Sequence, residues 1–179
     1  MTKQLPTGEV LVSFSPKKLS KQNGLNNGEI NEILKDIKNF GGCHSKDRLP
    51  PIKQNYWYIM NMEDSVDKNG VALPGTHWVS FITRHNTLFY FDPFGIICPL
   101  EVLKVDPNDK VIYNTEQLQD QESTCCGWFS IALILSNKGE IKNDFQTFIK
   151  KFNTDTKRND MILKLMLYGL LDRSCGIKI

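Results

Sequence analysis

No apolar run in this sequence approaches the roughly 20 residues that a bilayer-spanning helix needs, and no apolar stretch follows Met1. Membrane anchor and secretory leader drop out of the reading, and a soluble intracellular protein is expected. A surplus of one charge is also lacking: the formal net charge is +2, with basic and acidic residues interspersed. That balance provides no global field to draw the whole chain onto nucleic acid or a membrane surface, although a local basic patch is compatible with it. Cysteines are few and odd in number, five in all, at positions 43, 98, 125, 126 and 175. They have neither the paired spacing of a disulfide framework nor that of a zinc module. Adjacent cysteines make poor shared ligands, so reduced thiols, no metal and no cofactor are expected. There is no internal repeat and no low-complexity tract. What is present is an ordinary globular composition, 179 residues with 40% hydrophobic and 23% charged content, enough to bury one sizeable core. The expectation is one monomeric domain over 1–179, with a polar N-terminal extension at 1–26, a core at 27–173 and a tail at 174–179.

Along the chain, the extension is interrupted by an apolar patch at Val10 to Phe14 that suits an edge strand. Ile30, Ile33, Leu34 and Ile37 follow helical spacing, with Asn26 or Asn27 as cap and Gly41-Gly42 as stop. Tyr56 to Met62 reads as a strand and Glu63 to Pro74 as a loop. Thr76 to Thr83 and Thr87 to Asp92 are dense in aromatic and β-branched residues, and Arg84-His85-Asn86 between them suits a hairpin connection. A further strand is expected at Lys110 to Asn114, then a polar stretch from Thr115 to Thr124. From Trp128 to Leu135 nearly every residue is apolar, which for a helix means burial on almost all sides. Gly139 closes that helix. Phe145, Phe148, Ile149 and Phe152 give a second helical stripe, and Met161 to Leu171 a third. The predicted class is α+β, a mixed central sheet packed against helices.

Catalysis by a cysteine needs a thiolate, an imidazole to handle its proton, a group that orients the imidazole, and donors for an oxyanion. Cys126 stands where a polar loop turns into the buried helix, and the unpaired N–H groups and dipole of a helix N-terminus favour a thiolate there. Gly127 would leave room for a substrate. His77 and Asp92 lie in adjacent predicted strands with compatible parities, so a hairpin would bring imidazole and carboxylate together. His44 and His85 sit in predicted turns without a strand-borne acid nearby. Gln119, seven residues before Cys126, could donate its amide to an oxyanion, but Gln117 and Gln121 lie close by and the residues alone do not choose among the three. A structural role, as core histidine, solvated glutamine or buried thiol, competes with each of these readings taken singly.

Taken together, Gly75-Thr76-His77-Trp78, then Tyr90-Phe91-Asp92-Pro93-Phe94-Gly95, then Gln119 followed at seven residues by Cys126-Gly127, resemble the adenovirus protease (adenain) family. That family shares a clan with the SUMO-specific proteases and has relatives in virophages, large DNA viruses and Polinton-type elements. Ser45 to Pro50 and Tyr58 to Asn61 resemble the virophage and Polinton members in particular. The similarity runs from about Asn27 to Leu135. It implies a papain-like arrangement, with the catalytic cysteine opening the buried central helix. By resemblance Cys126 is the nucleophile, His77 the base, Asp92 the orienting acid and Gln119 an oxyanion donor, while Trp78 packs beside the site and helps exclude water. Adenain carries Glu at the acid position, so Asp92 departs from adenain and matches the SUMO proteases instead. Cys126 rather than Cys125 matches the family's Cys-Gly and the Gln spacing. The resemblance further implies cleavage after Gly in Gly-Gly-X-like sites, capsid and other structural precursors as substrates, and a place in the virion and the infected cell. Adenain is stimulated by DNA and by a short peptide disulfide-linked to an enzyme cysteine. No position here matches that cysteine, so neither activator is carried over.

Overall fold

Five strands pair in sequence order, β1 (Phe40–Ser45), β2 (Trp57–Asn61), β3 (Trp78–Arg84), β4 (Thr87–Phe91) and β5 (Lys110–Tyr113), in a computed structural model that describes residues 24–105, 110–137 and 146–175. The three inner strands form an antiparallel meander, while β1 and β5 add parallel to β2 and β4 at the two edges. Parallel neighbours need a crossover between them. The segment between β4 and β5 includes helix α2 (Leu100–Val105), which the sequence reading did not anticipate.

Alternation along the strands supplies two cores. Trp57, Ile59, Trp78, Ile82 and Phe91 face one side of the sheet, where they pack with α1 (Asn27–Leu34), α3 (Cys126–Ser136), α4 (Gln146–Ile149) and α5 (Thr156–Cys175). Tyr58, Met60, Val79, Phe81, Leu88 and Tyr90 face the other side with Cys98 and Val102. This period of two is what a sheet covered on both faces demands. The α+β class and the buried central helix are as expected: in α3 every residue from Cys126 to Ile134 is buried.

Several boundaries differ from the expectations, each for a local reason. Helix α1 begins with a capping box, Asn26 Oδ1 accepting from the Glu29 N–H at 2.9 Å while the Glu29 carboxylate accepts from the Asn26 N–H at 3.1 Å. It ends at Leu34, before Ile37, and Gly41-Gly42 do not stop it. They lie in β1 instead, where a Cβ at Gly41 would collide with the Tyr58 ring of the neighbouring strand. The expected stripe at Phe148, Ile149 and Phe152 is real as packing but not as one helix, since α4 has four residues and Phe152 reaches Phe129 and Phe148 from the turn beyond. Helix α5 continues to Cys175, into the stretch expected to be a tail. The Val10 to Phe14 strand, the Gly139 stop and Phe145 lie outside the described residues. No helix among the described residues is long and apolar enough to cross a membrane.

Strand directions place β2, β4 and β5 so that they end, and β3 so that it begins, at the same end of the sheet, Asn61 lying opposite Trp78. His77 immediately precedes β3, Asp92 immediately follows β4 and Asn114 immediately follows β5. The hairpin expectation therefore holds with one adjustment: the imidazole and carboxylate stand just off the strand ends, where side chains are free of the pleat.

Candidate active site

At that end of the sheet His77 Nε2 meets Asp92 Oδ1 at 3.0 Å, with the His77 side chain 16% exposed and Asp92 1%. A carboxylate only accepts, so Nε2 carries a proton and donates to it in either charge state of the ring. Nδ1 is buried without a hydrogen-bond partner among the described residues, and the Cys126 thiol is one of the groups that act on the titration of the ring. Burial alone would lower the His77 pKa. The hydrogen bond with Asp92, and after it the thiol of Cys126, overcome that effect and raise it to about 9. The His77 imidazole and the nucleophile candidate Cys126 are therefore coupled electrostatically.

Asp92 is held from several directions. The Phe94 N–H donates to Oδ1 at 2.7 Å, the Tyr90 hydroxyl donates to Oδ2 at 3.5 Å, and the Phe94 ring lies 4.9 Å from the imidazole, centroid to centroid. The Tyr90 hydroxyl is itself held protonated by burial and by the Asp92 charge. The backbone of Asp92 is clamped by the fully buried Asn114, whose side-chain Oδ1 accepts from the Asp92 N–H at 3.0 Å while Nδ2 donates to the Asp92 carbonyl at 2.7 Å.

Cys126 is the first residue of α3 and is 2% exposed; Cys125 occupies the cap position, half-buried, and burial pushes its thiol pKa up. Cys43 is more extreme, burial lifting its thiol to about 12. Of the three glutamines, Gln117 and Gln121 are exposed and Gln119 is 1% exposed. The Gln119 N–H donates to the Pro93 carbonyl at 3.0 Å, next to Asp92, and its Nε2 donates to the Ser123 carbonyl at 2.6 Å. A primary amide has two N–H bonds, so one donor remains beyond the Ser123 contact.

The two residues expected at a substrate face are placed inward. Trp78, 4% exposed, shares the apolar core with Cys126 and Trp128, and its indole N–H donates to Asn27 Oδ1 at 2.9 Å. At Gly127 an added Cβ would stand 3.3 Å from Ile30 Cδ1 and 3.4 Å from Leu25 Cδ1. Its smallness therefore lets α1 approach α3, and the room expected for substrate is filled by these two side chains. His44 bonds the Gly41 carbonyl at 3.0 Å and His85 sits in the β3–β4 turn. Among the described residues no group of three or more His, Cys, Asp or Glu side chains converges to hold a metal ion. Asn114 and Phe94 are the site residues that sequence reasoning missed. The signal for Asn114 was a polar amide at the end of a β-rich run, and counting it as a strand residue concealed the work of its side chain.

Fold and site together define a class: an α+β protein whose central helix opens on a buried cysteine and whose mixed sheet carries a histidine–aspartate pair at one end. The crystal structure of the ASFV pS273R protease is similar to it, with a TM-score of 0.51 and 17% identity, covering 84% of this chain and 69% of that one. A selenomethionine form of the same protease superposes more loosely, with a TM-score of 0.37 and 19% identity over 62% of this chain and 43% of that one. The first likeness establishes a shared fold, that of a viral protease. No family model matches the chain, and no curated protein does by sequence.

Proposed function

We propose that this chain is a viral cysteine endopeptidase of the virophage or adenain type, and that Cys126, His77, Asp92 and Gln119 carry its chemistry. The observation that bears most weight is the imidazole bonded to Asp92 at 3.0 Å through Nε2 and coupled electrostatically to the thiol of Cys126 at the head of α3. Catalytic hydrogen bonds in a free enzyme are often poorly aligned and tighten once substrate is bound, so an imidazole coupled to the thiol with Nδ1 still unpartnered fits the role.

In this reading His77 takes the Cys126 proton, and the helix N-terminus with the imidazolium supports the thiolate. The thiolate attacks a peptide carbonyl. The free N–H of Gln119 and the backbone N–H of Cys126 stabilise the oxyanion, and His77 then protonates the leaving amine. Water attacks the acyl-enzyme thioester, His77 accepting its proton, and releases the acid product. Asp92 orients the ring and stabilises its charge throughout. Substrates would be capsid and other structural precursors cut after Gly in Gly-Gly-X-like sequences, by a monomer acting in the virion and the infected cell without a metal or cofactor. Trp78 and Gly127 then serve the site from beneath, as packing.

The test is direct. Cys126→Ala should lower cleavage of a Gly-Gly-containing capsid precursor by about 10³-fold or more, while Cys125→Ser largely spares it. Products are identified by mass spectrometry beside ubiquitin and SUMO conjugates. Full cleavage by Cys126→Ala would end the assignment, and turnover of the conjugates alone would redirect it to an isopeptidase.

A further inference from the structure

Backbone pairing between β4 and β5 stops at Tyr90 and Tyr113. Past that point a side chain takes over. Asn114, fully buried, accepts from the Asp92 N–H through Oδ1 at 3.0 Å and donates through Nδ2 to the Asp92 carbonyl at 2.7 Å, so one planar amide pairs with both backbone groups of the acid. The same Nδ2 donates its second proton to the Glu116 carbonyl at 3.1 Å, within the loop that leads to Gln119. Around this clamp the two loops are closely fitted. The Leu118 and Gln119 N–H groups both donate to the Pro93 carbonyl, at 2.8 and 3.0 Å. Gly95 has φ +71, and a Cβ there would stand 2.7 Å from the Thr115 carbonyl oxygen.

We infer that Asn114 is a positioning residue which holds the acid loop at Asp92 and the oxyanion loop at Gln119 in one fixed relation. This rests on the cysteine-protease reading. Asn114 touches none of the groups in that reading except through the backbone of Asp92, so it acts through another residue. Only an amide supplies the set it uses, one acceptor and two donors. An Asp side chain lacks the donors when ionised, and Ser has one donor on a shorter stem. The carboxylate that the clamp aims is the one His77 bonds. Asp92 and the Cys126 thiol are the ionisable groups that act on that imidazole. A loosened Asp92 would lower the pH at which the ring gives up its proton.

The full chain is compared with Asn114→Ala and Asn114→Ser in three measurements. Thermal melts report folding, iodoacetamide labelling of Cys126 across pH reports the thiol–imidazole pair, and a Gly-Gly peptide reports kcat and KM separately. The expected result for a folded variant is a kcat lowered by about 10- to 100-fold with KM nearly unchanged, and a labelling profile whose alkaline end moves to lower pH. Asn114→Ser should fall between wild type and Asn114→Ala. A folded variant with the wild-type kcat and labelling profile overturns the inference, and so does loss of folding in both, which would make Asn114 a structural residue only. Absence of selective Cys126 labelling in the wild type is a separate outcome: it fells the protease reading and this inference with it.

Discussion

Burial, the bond to Asp92 and the Cys126 thiol together set the protonation behaviour of His77. Because Asp92 and Cys126 outweigh burial and lift His77 to about 9, the imidazole is charged at neutral pH, the state that sustains a neighbouring thiolate. Asp92→Asn should lower the His77 pKa, bring the alkaline limb of the rate profile to lower pH and reduce kcat by about 10²- to 10⁴-fold. The same bond has a stability signature. A folded pKa above the 6.5 of a free imidazole makes this contribution complete below about pH 6.5 and lost as pH rises through about 9. Unfolding in urea at about pH 6 and about pH 10 should therefore show a larger loss in the wild type than in Asp92→Asn; equal losses would separate His77 from Asp92 energetically. Cys43 and Cys125 have thiols raised by burial, which should slow their alkylation at neutral pH.

Elements were legible where a local pattern dictated them. The near-continuous apolar run from Trp128 to Leu135 had to be a helix buried all round, and the aromatic, β-branched segments flanking Arg84-His85-Asn86 had to pair. That pairing made His77 and Asp92 neighbours and the run put Cys126 at its head, but their roles came only from the family resemblance. What the pattern concealed depended on neighbours distant in sequence. β1 contains two adjacent glycines and reads as a break; it is a strand because β2 pairs with it, and because Asn31 of α1 bonds both the N–H and the carbonyl of Cys43, at 2.8 and 3.1 Å. Gln119 could be told from Gln117 and Gln121 only once the loop folded against Pro93. The β3–β4 turn carries its own test. His85 and Asn86 both have positive φ, 47° and 57°, a conformation that Asn-Gly adopts with far less strain. The double change His85→Asn with Asn86→Gly should raise stability by about 0.5 to 1 kcal/mol and leave kcat unaltered. A lower midpoint in a denaturant titration would show that the native pair makes contacts worth more than the relief of strain.

At the scale of the whole molecule the sheet divides the interior into two cores, and the candidate site draws on one of them. Cys126, Trp78 and Trp128 belong to the side covered by α1, α3, α4 and α5, whereas Phe81 is fully buried on the opposite side. Phe81→Ala should destabilise the protein by about 3 to 5 kcal/mol, read from chemical unfolding, while the folded fraction keeps its turnover. A fall in kcat without a loss of stability would mean that the far core communicates with the site. The order of the strands bears on how the molecule comes into being. The β3–β4 hairpin closes across only His85 and Asn86, while every other strand pairing spans a longer connection. The hairpin flanked by His77 and Asp92 precedes α3 in the chain and closes on local contacts alone. Under the proposed function the nucleophile would then be the last of its set to leave the ribosome, and a growing polypeptide would carry no competent site until most of its sheet had been made.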